Sequence, residues 1–322
     1  MIDTNETFLN VTSLGALSEY GFKRVVIAVG VFDGVHIGHQ LLIKRLLEMA
    51  KTEDAVPVAL TFFPHPRNIL QPDSPPALLM SPAKKVELLH SYGVEAVVTM
   101  PFSKDFASLS PEDFIRNCLS TPRIDLRGIC VGSSWRFGSE GKGDVTTLEK
   151  FAEKGHFKFE AVEELLIGSE PVSSTAIRRA ISSGLLERAA EMLGRNYRLG
   201  GEVEAGRKIA GSTLEHPTAN LHIRYGIVPP NGVYAGIAHF NGKDYPSAVA
   251  IGVSPTFRTY PEGNIRIEVH LLDFKGDIYG ESIEVELLSY LREERCFSSA
   301  SELKTQILED VSKIKEILQE RL

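Results

Sequence analysis

Two histidines, His36 and His39, stand three residues apart in FDGVHIGHQ (32–40), after a β-forming apolar run and before a helical one. Glycines at 30, 34 and 38 punctuate the turn, and the helix is expected to begin about His39. A strand, a glycine-bearing turn and a helix amino terminus make an anion site, because free backbone N–H groups and the helix dipole face one point. Two imidazoles at that point could donate hydrogen bonds to phosphate oxygens as charge builds in a transition state. Phosphate chemistry is the sharp expectation. Two others stay open: the glycines shape a turn while the histidines cap and pack, or the histidines share a metal, with His65 as a remote third ligand.

A second stretch carries the same kind of chemistry. VSSTAIRRAI (172–181) puts Ser173, Ser174 and Thr175 at a helix start, with Arg178 about one turn later. Hydroxyls, free amides and a guanidinium would give a second grip on a triphosphate, although an ordinary cap followed by a surface arginine reads the same way. The letters HIGH also occur in aminoacyl-tRNA synthetases of the first class, which need a Lys-Met-Ser-Lys-Ser loop in the second half. No such loop exists here; LMSPAKK (79–85) lies in the wrong place and lacks the leading lysine.

The elements that must position these residues change character near Gly194. Before it, apolar runs such as RVVIAVGVF (24–32), VPVALTFF (56–63), AVVTM (96–100) and IDLRGICVG (124–132) alternate with helical stretches at 41–50, 81–93 and 110–120. That alternation predicts βαβ units and a parallel, Rossmann-like sheet, with ligands at the carboxyl ends of its strands. After it, Asn241-Gly242 and KGD (275–277) mark hairpins, and Ile265, Ile267, Val269 and Leu271 alternate with polar residues. An antiparallel β-barrel or sandwich follows, closed by a helix. Ser299 and Glu302 fit a capping box for that helix, and Leu303, Ile307, Val311, Ile314 and Leu318 its buried stripe. The 322 residues suit two domains, taken as 1–186 and 187–322. A net charge of −7 argues against a nucleic-acid surface, and no apolar stretch is long enough for a membrane span. Three widely spaced cysteines and no secretory leader point to the cytoplasm.

Over roughly residues 15 to 318 the chain resembles the bifunctional riboflavin kinase and FMN adenylyltransferase family of bacteria. GVFDGVHIGHQ, TFFPHPR (61–67), VGSSWRFG with Gly143-Asp144, and VSSTAIR resemble its nucleotidyltransferase motifs; PTAN (217–220), GVSPTF (252–257), IEVHLLDF (267–274), YGESIEV and LREERCF resemble its kinase motifs. The resemblance implies an amino-terminal nucleotidyltransferase sheet and a carboxy-terminal kinase barrel. It implies phosphorylation of riboflavin to FMN in the barrel and adenylylation of FMN to FAD in the other half, with ATP and Mg²⁺ used in both.

By the same resemblance, Gly30, Phe32, Asp33, Gly38, Ser174, Thr175 and Arg178 bind ATP beside His36 and His39. Phe62, Pro64, His65 and Pro66 line the flavin side. Glu268 is the kinase base, and Thr218 and Asn220 are oxygen ligands of Mg²⁺. On spacing alone Phe62 and Trp135 are core aromatics, Thr218 and Asn220 turn residues, and Glu268 a solvated carboxylate near Arg266 and His270. The chain departs from the family at Glu215 and His216, where a glycine and an aromatic usually precede PTAN, at Ser254 in place of asparagine, and at Ser134. Two further readings are an adenylyltransferase with a weakened kinase and a flavin-binding protein without turnover. Only small-molecule substrates are expected: no nucleic acid, no membrane and no obligatory protein partner.

Overall fold

Uninterrupted apolar runs become a parallel sheet. Strands β1 (Asn10–Val11), β2 (Arg24–Val29), β3 (Val56–Phe63), β4 (Ala96–Pro101), β5 (Asp125–Gly132) and β6 (Lys158–Val162) lie in the order β1-β4-β3-β2-β5-β6, each pair parallel. Val25, Ile27, Val58 and Leu60 are fully buried, as strands covered on both faces require. The chain moves from β2 outward through β3 and β4, then returns to β5 on the other side of β2. That reversal makes the carboxyl end of β2 a topological switch point, where ligands gather in open α/β sheets. Helices α1 (Ile37–Thr52), α2 (Pro66–Leu70) and α3 (Pro82–Ser91) follow β2 and β3, and the short α4 (Lys104–Ala107) and α5 (Pro111–Phe114) follow β4. Helix α6 (Val145–Gly155) precedes β6, and a small hairpin, β7 (Leu166–Ile167) and β8 (Glu170–Pro171), leads to α7 (Ser174–Ser182) and α8 (Leu186–Leu193).

The computed structural model describes residues 8–204, 218–253, 265–295 and 297–319. The chain forms two compact units: Met1–Pro76 with Pro82–Ser174, and Ala77–Ser81 with Thr175–Leu322.

Alternating strands build the second unit. Strands β9 (Tyr197–Glu204), β10 (Thr218–Ile223), β11 (Gly232–Phe240), β12 (Lys243–Val253), β13 (Ile265–Leu271) and β14 (Ser282–Arg292) close an antiparallel barrel in the order β10-β13-β12-β11-β14-β9. Asn241 and Gly242, at φ 48° and 71°, make the two-residue turn between β11 and β12, the left-handed pair that a tight hairpin needs. Ile267, Val269 and Leu271 point inward; Ile265, expected with them, is 51% exposed because it begins β13 at the rim opposite Val253.

The closing helix is α9 (Ala300–Gln319). Ser299 Oγ accepts from the Glu302 N–H at 3.2 Å, but the Glu302 carboxylate accepts from the N–H and hydroxyl of Ser298, one residue earlier than a capping box predicts. Ile314 is buried and Leu303, Ile307, Val311 and Leu318 are half-buried, sharing their stripe with buried Gln306 and Asp310. No helix among the described residues is long and apolar enough to cross a membrane.

Candidate nucleotide and flavin sites

The turn after β2 holds a charged and strained constellation. Helix α1 starts at Ile37, two residues before the expected point, because His36 is its cap: His36 Nδ1 accepts from the His39 N–H at 3.3 Å. That bond leaves the proton of a neutral His36 ring on Nε2. The two imidazoles stack with centroids 3.6 Å apart and planes 16° from parallel. Burial above all, then the neighbouring His36 and Lys85, holds His39 well below the usual histidine pKa. Its Nδ1 has no hydrogen-bond partner among the described residues. A side chain at Gly38 would come within 3.2 Å of His36 Nδ1, so the glycine keeps the cap in place.

The backbone of this turn is unusual. Phe32 and Val35 have positive φ, 55° and 39°, alongside Gly34 at 83°. A β-branched residue there is strained, and such conformations persist at functional sites where the surroundings hold them. Gly30 follows β2, its N–H donating to the Leu60 carbonyl at 3.0 Å. Phe32 is fully buried and Asp33 is 4% exposed.

One residue of the second predicted phosphate motif reaches this turn. Ser174, at the start of α7, donates from Oγ to the Asp33 carbonyl at 2.8 Å. Farther along the helix, Thr175 is exposed, and Arg178 Nε donates to the Ala77 carbonyl at 2.7 Å. His65 repeats the role of His36 at the end of β3: it caps α2, its Nδ1 accepting from the Arg67 N–H at 3.1 Å, with Pro66 as the first helical residue. Pro64 follows a cis peptide bond. Phe62 is buried and packs edge-on against Phe102 and Phe106, at 5.9 and 5.8 Å. Half-buried Trp135 stacks on Phe137 at 4.8 Å, and Asp144 caps α6 by accepting from the Thr147 N–H.

Sequence reasoning passed over Lys85 and Thr61, both buried beneath this turn. Lys85 Nζ donates to the Val31 carbonyl at 3.1 Å and to Thr61 Oγ1 at 2.9 Å. The available signal was a lysine on the apolar side of α3, in a stretch read as helical and as a failed echo of another motif.

In the barrel, register brings together Asn220 and Glu268, directly opposite across β10 and β13, while Thr218 stands opposite His270. Directly opposed residues share a face with Cβ atoms about 5 Å apart. Glu268 is half-buried and pairs with Arg266 at 3.2 Å. A cleft of about 240 Å³ next to β10 is lined by Ala219, Leu271, Phe274, Asp277, Ile278 and Tyr279 among others. Glu215, His216 and Ser254 lie outside the described residues.

A strained, histidine-bearing turn at a switch point and a closed antiparallel barrel are the frame of an enzyme that transfers phosphorus-containing groups, the class to which its family matches assign it. Residues 20–176 match the family described as FAD synthetase, and residues 193–318 the family described as riboflavin kinase. The bifunctional riboflavin kinase/FMN adenylyltransferase of Buchnera aphidicola subsp. Schizaphis graminum is 34% identical over 90% of this chain and 92% of its own. That of Bacillus subtilis is 36% identical over 88% of this chain and 90% of its own. A solved structure described as a macrolide-efflux protein from Streptococcus pneumoniae shares the fold, with a TM-score of 0.81 and 26% identity over 95% of this chain and 98% of that one. This chain belongs to the bifunctional riboflavin kinase/FMN adenylyltransferase family.

Proposed function

We propose that the chain makes FAD from riboflavin in two ATP-consuming steps, with FMN adenylylation in residues 1–186 and riboflavin phosphorylation in residues 187–322. The observation that carries the first assignment is the Ser174–Asp33 hydrogen bond, which joins the two phosphate-type sequences at the end of β2. In adenylyl transfer an FMN phosphate oxygen attacks the α-phosphorus of ATP as the bond to the β-phosphate oxygen breaks and pyrophosphate leaves. The nucleophile is already anionic, so the protein supplies position and charge stabilisation. His36, through its Nε2–H, and His39, in its neutral form, donate to the phosphates; Gly30, Phe32, Asp33 and Gly38 shape the turn around them; Ser174 braces it, and Thr175 and Arg178 add donors. Phe62, Pro64, His65 and Pro66 form the flavin side.

In the kinase step Glu268 takes the proton of the riboflavin hydroxyl as its oxygen attacks the γ-phosphorus of ATP, and ADP leaves. The donor set fits Mg²⁺: the amide oxygen of Asn220 is a hard oxygen ligand, with Thr218 two residues before it in β10, and Glu268 stands opposite as the base. When bound, the ion neutralises phosphate charge. The protein acts in the cytoplasm on small molecules, without an obligatory protein partner.

The test is a timed chromatographic separation of flavins after mixing pure protein with ATP, Mg²⁺ and either riboflavin or FMN. FAD from both tubes is expected, with transient FMN in the first. FAD from FMN alone would remove the kinase step, and no product in either tube would remove both.

A further inference from the structure

Lys85 is 8% exposed, yet it is an ammonium on the core side of α3, where charge is costly unless it is paired. Its partners all belong to the turn after β2 or to the strand beside it. Nζ donates to the Val31 carbonyl at 3.1 Å and to Thr61 Oγ1 at 2.9 Å, and Thr61 Oγ1 itself donates to the Val31 carbonyl at 2.9 Å. The carbonyl just before Phe32 therefore accepts twice. Phe32 is where the backbone first turns left-handed, and Asp33, whose carbonyl Ser174 holds, comes next. Buried Asp33 also acts electrostatically on Lys85, and Lys85 on His39. One cation thus bears on the backbone, the acid and the imidazole of the turn.

We infer that Lys85 is a positioning residue for adenylyl transfer: it holds the Val31–Phe32 corner and sets the placement of Asp33, His36 and His39 for the phosphates of ATP. The inference rests on the reading that His36 and His39 serve that reaction. An apolar residue would fill the same space at less cost, so the charge and its donors are what this place selects. Burial draws the Lys85 ammonium down to about pKa 8, with Asp33 opposing the fall. The ionisable groups facing it are Asp33 in the turn and His39 in α1, with His36 stacked behind His39. Strand β4, against which α3 packs, carries no ionisable side chain, and β3 offers the Thr61 hydroxyl. Above its pKa Lys85 becomes a neutral amine: its donors weaken and Asp33 loses a counter-charge.

The experiment measures FMN-to-FAD kcat and KM for wild type, Lys85→Met, Lys85→Arg and His36→Ala, from neutrality to about pH 10. Riboflavin phosphorylation by the same preparations is the internal reference. Lys85→Met is expected to lower FAD-forming kcat about 10- to 100-fold, as small misplacements of reacting groups do, with phosphorylation changed by less than about twofold. The wild-type rate falls on the alkaline side; Lys85→Arg recovers part of the kcat and moves that limb upward, and Lys85→Met abolishes it. A Lys85→Met rate within about twofold of wild type would overturn the inference. So would a lost rate with the alkaline limb unchanged in both lysine variants, which marks a merely structural lysine. If Lys85→Met does not fold, the Lys85→Arg profile decides alone. FAD formation that survives His36→Ala is a different failure: it removes the site assignment beneath the inference.

Discussion

Ser174 Oγ donates to the main-chain carbonyl of Asp33 at 2.8 Å, across 141 residues of sequence. The hydroxyl hydrogen of the second phosphate motif is therefore committed to the backbone of the first. In the proposed nucleotide site its part is to fix the turn. Ser174→Ala should lower FAD formation from FMN about 10-fold, consistent with one lost hydrogen bond of about 1 kcal/mol and a loosened strained turn. Ser174→Thr keeps the hydroxyl and most of the rate. Steady-state rates for both reactions, taken on one preparation, decide it: the drop must be confined to FAD formation.

His39 supplies a pH dependence of stability. Burial, then His36 and Lys85, keep its folded-state pKa well below 6.5, while in the unfolded chain the ring titrates near its ordinary value. As pH falls below about 6.5, the unfolded state takes up a proton that the folded state refuses, so stability declines toward the folded pKa. His39→Gln removes that contribution. Trp135, the sole tryptophan, lies in the first unit and reports its unfolding. The urea midpoint followed by its fluorescence should fall more steeply with acidification in wild type than in His39→Gln; parallel curves would show that the ring titrates alike in both states.

The two-domain architecture was legible because period and composition carry it: runs with no polar alternation gave the buried parallel strands, and Asn241-Gly242 gave its hairpin. The geometry of the first turn was legible in part. His36 both caps a helix and sits where a phosphate donor is expected, so the two readings of this residue were never exclusive. The rest depends on distance in sequence. Lys85 joins Val31 over 54 residues, and its place on the apolar side of a helix does not say which groups it would meet. Likewise Gln306 and Asp310 spoil the apolar stripe of α9, for a reason that lies in β14. Ile265 fits the alternation but not the burial, since periodicity does not locate the barrel rim.

Asn220 faces Glu268 across one ladder rung, and Arg266 lies 3.2 Å from the Glu268 carboxylate. The carboxylate has two roles open to it, base and ion-pair partner, and substitution separates them. Glu268→Gln preserves shape and removes basicity, so FMN formation from riboflavin should fall about 100- to 10,000-fold while FMN-to-FAD conversion is unchanged. Asn220→Ala should raise the Mg²⁺ concentration needed for half-maximal phosphorylation. Glu268→Gln retaining more than about a tenth of the rate would leave Glu268 as a partner of Arg266 alone.

Arg292 grips Asp310 with a fork: Nε lies 3.0 and 3.1 Å from the two carboxylate oxygens and Nη2 2.8 Å from one of them. Gln306 Nε2 donates to the same carboxylate at 3.1 Å. The side chains of Arg292 and Asp310 are 16% and 5% exposed, so this pair fastens α9 to β14 away from solvent screening. Removing one partner leaves the other desolvated, and Asp310→Ala should cost about 3–5 kcal/mol of the stability of the second unit. Arg292→Met with Asp310→Leu should cost far less than the sum of the single changes, because neither buried charge is left alone. Heat inactivation provides the measurement. Riboflavin phosphorylation should be lost at a lower temperature in Asp310→Ala, and the double variant should recover most of that shift; additive losses would show that the fork contributes packing and little electrostatics.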